Sequence, residues 1–234
     1  MILHIPHAST NTLNYEIKNK ERELFRMTDH FTDDLYKHDE ATRIVFGVSR
    51  LVCDVERFSD DTQEKMSRFG MGVCYTRNTE GEKLKVVTDE DREYILNQYY
   101  HVHHKKLTDA VDKELDDYGT ALIVDCHSFP QEAYYFNSDF NEQRPDICIG
   151  TDYFHTPKEL VEKVKSFFLS KGYHVSVDKP YSGTMVPLKH YHKDKNVHSL
   201  MIEVNRKLYI SEDGSRNEHY ITLQNELTQL FDTL

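Results

Sequence analysis

The chain has 234 residues, with 29 Lys and Arg against 40 Asp and Glu, so its formal net charge is −11. This length suits one domain with a sizeable core, and the acidic balance argues against nucleic acid or an anionic membrane as a partner, because both require a basic surface. No apolar run approaches the roughly 20 residues of a membrane-spanning helix, and the first ten residues, MILHIPHAST, lack the basic region and cleavage site of a signal peptide. We therefore expect a soluble cytoplasmic protein; the sequence does not predict its oligomeric state.

Short apolar runs predict buried strands along the whole chain. In chain order these runs are residues 2–6, 43–48, 51–55, 121–126, 147–149 and 200–204.

Helical patterns lie between and after these runs. Thr28 and Asp29 are typical of a helix start, and residues 88–91 fit a capping box for a longer helix that ends near Gly119. Two further helices are predicted over residues 157–170 and 220–231.

Strands that alternate with helices indicate a mostly parallel or mixed sheet covered on both faces. We expect a three-layer α/β/α domain that spans residues 1–234 as a single unit. Residues 59–85 carry Gly70, Gly72 and Gly81 with little periodicity, which is typical of a long loop over one edge of the sheet.

Ligands of open α/β sheets bind beyond the carboxyl ends of the strands, so the residues at these ends are the informative ones. His7 and His127 lie at two such ends, and Arg57 and Glu203 lie at two others. A catalytic zinc ion commonly takes two histidines and one carboxylate and leaves a position for water.

The carboxylate is open between two residues of the segment TDHFTDDLY. Asp29 starts the predicted helix, and Asp33 follows one turn later on the same face. Asp29 alone is equally explained as a first-turn acid that the helix dipole favours. Alternation also puts Asp125 on the same strand face as His127, which does not by itself establish a contact.

A resemblance to a known family joins these residues. Seven blocks in this order resemble the N-formylglutamate amidohydrolase family, which is similar in fold to the zinc carboxypeptidases and aspartoacylases. The blocks are HIPHAST, TDHFTDDLY, SRLVCDVERF, YHVHHKKL, IVDCHSFP, DICIGT and VHSLMIEVNRKLY. They run from residue 4 to residue 209, and their co-occurrence is far more specific than any single block.

The resemblance implies a role for each matched residue. His7, Asp29 and His127 become the ligands of one Zn²⁺, with Asp29 preferred over Asp33 because the acid at the helix start recurs more widely among such proteins. Glu203 becomes the general base, and Arg57 holds the substrate carboxylate or the developing oxyanion. His104 matches a family histidine to which we assign no role, and the cluster His101, His103 and His104 is otherwise explained as a helix face.

Two departures from the family pattern bear on the substrate. Glu56 replaces the usual Asn beside Arg57, where an acid either pairs with Arg57 or repels an anionic substrate. The segment GTMVPLKHYHK replaces a glycine-rich block with an Arg, so Arg77 and Arg206 become the candidates for a second substrate contact. Surface or structural ion pairs explain both arginines equally well.

The resemblance implies a metal-dependent hydrolase that cleaves the N-formyl amide of an acidic amino acid such as N-formylglutamate by zinc-activated water. The alternative is a zinc-dependent deacylase or carboxypeptidase-like hydrolase that acts on another N-acyl amino acid or a short peptide. A non-catalytic domain is disfavoured because His7, Asp29, His127 and Glu203 are all present. Tyr134, Tyr135 and Phe136 follow soon after His127 and are candidates for a wall of the pocket.

Overall fold

The computed structural model describes residues 1–134 and 143–234 of the chain. Six strands form one mixed sheet in the order β2-β1-β3-β6-β4-β5. The strands are β1 (Ile2–Ile5), β2 (Thr42–Val45), β3 (Ala121–Phe129), β4 (Ile147–Gly150), β5 (Val175–Val177) and β6 (Val197–Asn205). Adjacent strands are parallel except β4 and β6, which are antiparallel.

Helices cover both faces of this sheet, as the alternation of elements predicts. The helices are α1 (Lys20–Met27), α2 (Thr32–Leu35), α3 (Asp89–Ile95), α4 (His101–Tyr118), α5 (Lys158–Ser170) and α6 (Tyr220–Phe231). A π-helical turn (Leu96–Tyr100) joins α3 to α4, so the long helix predicted from residue 88 is continuous but irregular. The predicted capping box is present, since Thr88 and Asp91 each accept a hydrogen bond from the other's backbone N–H, at 3.1 and 3.0 Å. Among the described residues, none of the helices combines the length and the apolar character that crossing a bilayer requires.

The strands alternate their side chains between two different layers. On one face, Val124 and Ile202 pack with residues of α2, α5 and α6 in the main hydrophobic core. On the other face, Ile2 and Ile123 pack against Leu107 of α4. This second face continues toward the carboxyl ends of the strands with polar residues, and it is there that the candidate site lies.

Two predicted elements are wrong. Residues 51–55 form no strand, because the N–H groups of Val52 and Cys53 both donate to the carbonyl of Ser49 in a turn. The apolar side chains of this segment are buried in a satellite cluster with Met71 and Ile95, which explains why the segment looks like a strand in the sequence. No helix starts at Thr28; Asp29 lies in the turn between α1 and α2. The 59–85 segment contains only a short 3₁₀ helix (Lys65–Phe69) and an isolated bridge, as expected of a long loop.

Candidate active site

Two histidines and one aspartate converge at the carboxyl edge of the central strands. His7 follows β1 by two residues, His127 lies near the end of β3, and Asp29 lies between α1 and α2. The Asp29 backbone N–H donates to the carbonyl of His7 at 3.0 Å, which holds this turn beside the end of β1. All three side chains are buried. The tertiary structure therefore brings together the three residues that the sequence nominates as metal ligands.

The facing atoms of this His7–Asp29–His127 triad are two imidazole nitrogens and a carboxylate oxygen, which can donate electron pairs to a metal ion. His7 Nδ1 lies 3.3 Å from His127 Nδ1, and Asp29 Oδ2 lies 3.2 Å from His127 Nδ1 and 3.8 Å from His7 Nδ1. Ligand atoms about 2.0–2.1 Å from a tetrahedral ion are about 3.3–3.4 Å from each other. The spacing of the triad therefore fits a single ion of the size of zinc.

Carboxylates on the far side of both imidazoles fix which nitrogen is free. His7 Nε2 lies 2.8 Å from Asp54 Oδ1, and His127 Nε2 lies 3.1 Å from Glu56 Oε1 and 3.2 Å from Asp125 Oδ1. A carboxylate only accepts hydrogen bonds, so each Nε2 carries a proton, and a neutral imidazole then keeps its lone pair on Nδ1. Histidines that bind metals are oriented in this way, and the donor set of the site thus fits a divalent cation.

Other acids lie near enough to be considered as the third ligand. His7, Glu56 and His127 offer ligand atoms within 4.8 Å of one another, and so do His4, Glu56 and Asp125. Glu56 approaches His127 at Nε2, away from the Nδ1 atoms that face each other, whereas Asp29 faces both Nδ1 atoms. The geometry therefore favours Asp29. Asp33 is exposed on α2 and is not part of the group.

The charges around the triad attract a cation. Burial opposes ionisation of Asp29, but hydrogen bonds with His127 and His7 and the charge of Arg206 hold its pKa well below the ordinary value. Burial likewise opposes a charge on His127, but the carboxylates of Glu56 and Asp125 outweigh it and raise its pKa well above the ordinary value. A proton on His127 thus balances the surrounding carboxylates in the metal-free protein, and a bound cation would replace it.

Glu203 lies beside the triad and lines the same cavity. It stands opposite His127 in the register of β3 and β6, and it is buried. Its Oε2 atom accepts no hydrogen bond from the described part of the chain. Burial and, to a smaller extent, the carboxylates of Asp29 and Glu56 raise its pKa to about 7 despite the opposing effect of His127. A buried carboxylate with these properties suits a general base.

Arg57 lines the site next to Asp54 and Glu56. Its Nε lies 3.7 Å from Asp54 Oδ2, too far for a hydrogen bond, and Nε has no hydrogen-bond partner among residues 1–134 and 143–234. Arg50, by contrast, makes hydrogen bonds of 2.9 and 3.3 Å to the same Asp54 oxygen. Glu56 makes no ion pair with Arg57 within the described residues, because its carboxylate faces His127 instead. The Arg57 guanidinium is therefore available to an anionic ligand.

Arg206 and Arg77, the two other arginines predicted to contact the substrate, have different surroundings. Arg206 lines the site, but its donors are engaged: Nη2 donates to Asp29 Oδ1 at 2.8 Å, Nη1 to the carbonyl of Arg26 at 2.6 Å and Nε to Ser128 Oγ at 3.1 Å. It therefore orients the Asp29 carboxylate. Arg77 is exposed and donates to the carbonyl of Gly81 at 2.7 Å, and it does not line the cavity at the triad. The structure thus does not bring Arg77 together with the other site residues.

Sequence reasoning missed Asp54, which supports His7, and left open whether Asp125 contacts His127. Asp54 is fully buried, and besides His7 it accepts hydrogen bonds from Arg50 and from the Tyr75 hydroxyl, the latter at 2.7 Å. Asp125 Oδ1 also lies 2.8 Å from His4 Nδ1, so a buried chain of polar groups leads from His4 to His127. Asp54 could have been identified from the sequence, because it lies in the block SRLVCDVERF, three residues before Arg57. The contact of Asp125 with His127 depends on the side-chain conformations of both residues, which the sequence pattern does not predict.

His104 acquires a structural role. Its Nε2 donates to the carbonyl of Val55 at 2.8 Å, and burial lowers its pKa to about 4, so the ring is neutral. This hydrogen bond ties α4 to the segment that carries Glu56 and Arg57.

A cavity of about 390 Å³ opens onto the triad. Glu203, Arg57 and Arg206 line it together with the triad, and so does Tyr134. Tyr135 and Phe136, the other two aromatic residues expected there, lie outside the described residues. The size of the cavity suits a small molecule.

Comparisons with known proteins show which family the chain belongs to. The chain is 22% identical over 224 residues to N-formylglutamate deformylase of Pseudomonas putida, an alignment that covers 91% of this chain and 82% of that protein. The crystal structure of N-formylglutamate amidohydrolase from Ralstonia eutropha superposes with a TM-score of 0.86 at 24% identity, covering 98% of this chain and 90% of that one. A gene product of Agrobacterium tumefaciens has a similar fold, with a TM-score of 0.69 at 15% identity over 100% of this chain and 90% of that one. The family model for N-formylglutamate amidohydrolase matches residues 1–210, and the chain therefore belongs to the N-formylglutamate amidohydrolase family.

Proposed function

We propose that this protein is a metal-dependent amidohydrolase that releases formate from N-formylglutamate and related N-formyl amino acids. The observation that carries the proposal is the convergence of His7 Nδ1, His127 Nδ1 and Asp29 Oδ2 within 3.2–3.8 Å beside Glu203, whose Oε2 atom has no hydrogen-bond partner among the described residues. Family membership and the name of the Pseudomonas putida relative support the choice of substrate. We propose further that the protein acts in the cytoplasm and that residues 1–234 form one amidohydrolase domain.

His7, Asp29 and His127 would hold the metal, which we propose to be a single Zn²⁺ per chain. When bound there, a zinc ion supplies a Lewis acid that lowers the pKa of water and polarises the acyl carbonyl. Arg206 binds one oxygen of Asp29 and so keeps the other directed toward the histidines. Asp54 and Asp125 accept from the Nε2 atoms of His7 and His127, so the Nδ1 lone pairs of the two rings face the same point. The protein therefore preorganises the ligands at no cost during turnover.

Glu203 is proposed to accept a proton from the attacking water and to return it to the leaving amine. A base whose pKa lies near neutral pH suits both transfers, because it is ionised for the first and a sufficient acid for the second. The pKa of about 7 for Glu203 meets this requirement.

Arg57 is proposed to bind the α-carboxylate of the substrate, or to stabilise the developing oxyanion. A guanidinium offers two parallel N–H donors that match a carboxylate, and the Nε donor of Arg57 has no hydrogen-bond partner within the described part of the chain.

The test combines metal analysis with formate release. The purified protein should contain about one zinc per chain and hydrolyse N-formylglutamate, and a chelator should abolish the activity until zinc is restored. His127→Ala and Asp29→Asn should lose both metal and activity, whereas the matched control Asp33→Asn, at the exposed alternative acid, should keep both. Stoichiometric zinc in His127→Ala would show that the triad is not the metal site.

A second candidate function is a deacylase for another N-acyl amino acid. The orientation of Glu56 favours it, because this carboxylate faces the site without neutralising Arg57 and repels a second substrate carboxylate.

A further inference from the structure

A second cavity of about 260 Å³ adjoins the first. The two cavities share Glu56, Arg57, Ser182 and Met201 as a common wall. The second cavity extends over the same face of the sheet toward α4, where it reaches Asp125 and His104. The metal-ligand triad lines the first cavity only. A ligand bound at the triad can therefore extend past Arg57 into the second cavity.

The second cavity is apolar over most of its lining. The apolar side chains are Val55, Phe58, Met185, Val186, Leu188 and Met201. Such a lining binds hydrocarbon groups by removing apolar surface from water.

The charges of the second cavity disfavour an acidic group. Glu56 and Asp125 contribute two carboxylates, and among the described lining residues only Arg57 carries a permanent positive charge. His104, the remaining basic group, donates its Nε2 proton to the Val55 carbonyl and is neutral. An acidic side chain that entered here would lie near two like charges and lose its hydration.

The position of Arg57 determines which part of the substrate enters. With the α-carboxylate on Arg57 and the scissile amide toward the triad, the Cα atom lies at the boundary of the two cavities. The side chain of the bound amino acid then faces the second cavity.

We infer that the second cavity is a side-chain subsite that selects N-formyl amino acids with an apolar side chain, of the size of methionine or leucine, over N-formylglutamate. The inference rests on the proposed function and deepens it by naming the substrate class. One methylene in an apolar pocket is worth about 10–200-fold in kcat/KM. We therefore expect kcat/KM for N-formylmethionine to exceed that for N-formylglycine, which lacks a side chain, by at least about tenfold.

The experiment measures formate release from N-formylglycine, N-formylmethionine and N-formylglutamate by the zinc-loaded protein. Val186→Phe, which fills the subsite away from the triad, should lower kcat/KM for N-formylmethionine about tenfold or more and leave N-formylglycine nearly unchanged. Ile221→Phe adds similar bulk at a position that is 58% exposed on α6 and should change neither. If Val186→Phe does not fold, Leu188→Trp replaces it, because Leu188 lines the same cavity with 61% of its surface exposed.

A charge variant tests the same subsite independently. Glu56→Gln should raise the ratio of kcat/KM for N-formylglutamate over N-formylmethionine, because a like charge is removed, and the ratio is insensitive to any general loss of activity. Equal kcat/KM for N-formylglycine and N-formylmethionine, or an equal loss on both in the filled variant, would overturn the inference. These results would leave the proposed function intact, whereas the absence of hydrolysis of all three substrates would overturn the proposed function itself.

Discussion

Replacing Glu203 by Gln should reduce activity and increase stability at the same time. The substitution keeps the shape of the side chain and removes the proposed base, so kcat should fall by about 10²–10⁴ with the metal retained. The stability effect arises because the pKa of Glu203 rises from the ordinary 4.5 to about 7 on burial. A group with a raised pKa contributes its full stability below its unfolded pKa, and that contribution is lost as the pH rises through the folded value.

The magnitude follows from the size of that rise. Each pKa unit corresponds to about 1.4 kcal/mol, so the ionised carboxylate costs the metal-free protein about 3 kcal/mol at pH 8. The neutral amide of Gln removes this cost, and the difference between variant and wild type should shrink to less than about 1 kcal/mol at pH 5. For a chain of this length, about 3 kcal/mol corresponds to roughly 6–12 °C in Tm.

The assay is thermal unfolding of the chelated wild type and of Glu203→Gln at pH 5 and pH 8, with turnover measured separately on the zinc-loaded proteins. Glu212→Gln, at an exposed acid, is the matched control and should behave as wild type in both measurements. A variant that unfolds with the pH dependence of the wild type would refute the assigned burial cost. Near-normal turnover would eliminate Glu203 as the base.

Three further predictions follow from the same site. Asp54→Asn should weaken zinc binding by about 10–100-fold, because Asp54 orients His7, and a metal titration at neutral pH that gave wild-type affinity would contradict this role. Zinc affinity should fall as the pH is lowered through the neutral range, because the raised pKa of His127 makes a proton compete with the metal. Calorimetry in buffers of different ionisation enthalpy should detect proton release, and a pH-independent affinity would show that His127 is not a ligand. Arg57→Lys should lose much of its kcat/KM for an N-formyl amino acid and little for the corresponding α-amide, while equal losses on both substrates would indicate that Arg57 serves the oxyanion or the fold.

The periodicity of the sequence was sufficient to predict the layers of the fold. Residues 121–126 and 200–204 belong to the two central strands, and α5 and α6 have nearly the predicted bounds, because long periodic segments reflect which face is buried. Residues 51–55 look like a strand in the sequence because their side chains are buried, and buried side chains are apolar in a turn as well as in a strand. Only the hydrogen bonds to Ser49 distinguish the two cases.

The sequence by itself determined which chemical groups stand at the strand ends. His7 and His127 follow apolar runs and Glu203 lies near the end of another, and parallel strands place such ends at one edge of the sheet whatever the details of packing. The tertiary structure decided how these groups are used. It placed Asp29 rather than Asp33 beside the two histidines, paired Arg206 with Asp29, and directed Glu56 toward His127. These choices depend on side-chain rotamers and on contacts between residues up to 177 positions apart, as between Arg206 and Asp29, which strand and helix periodicity does not encode.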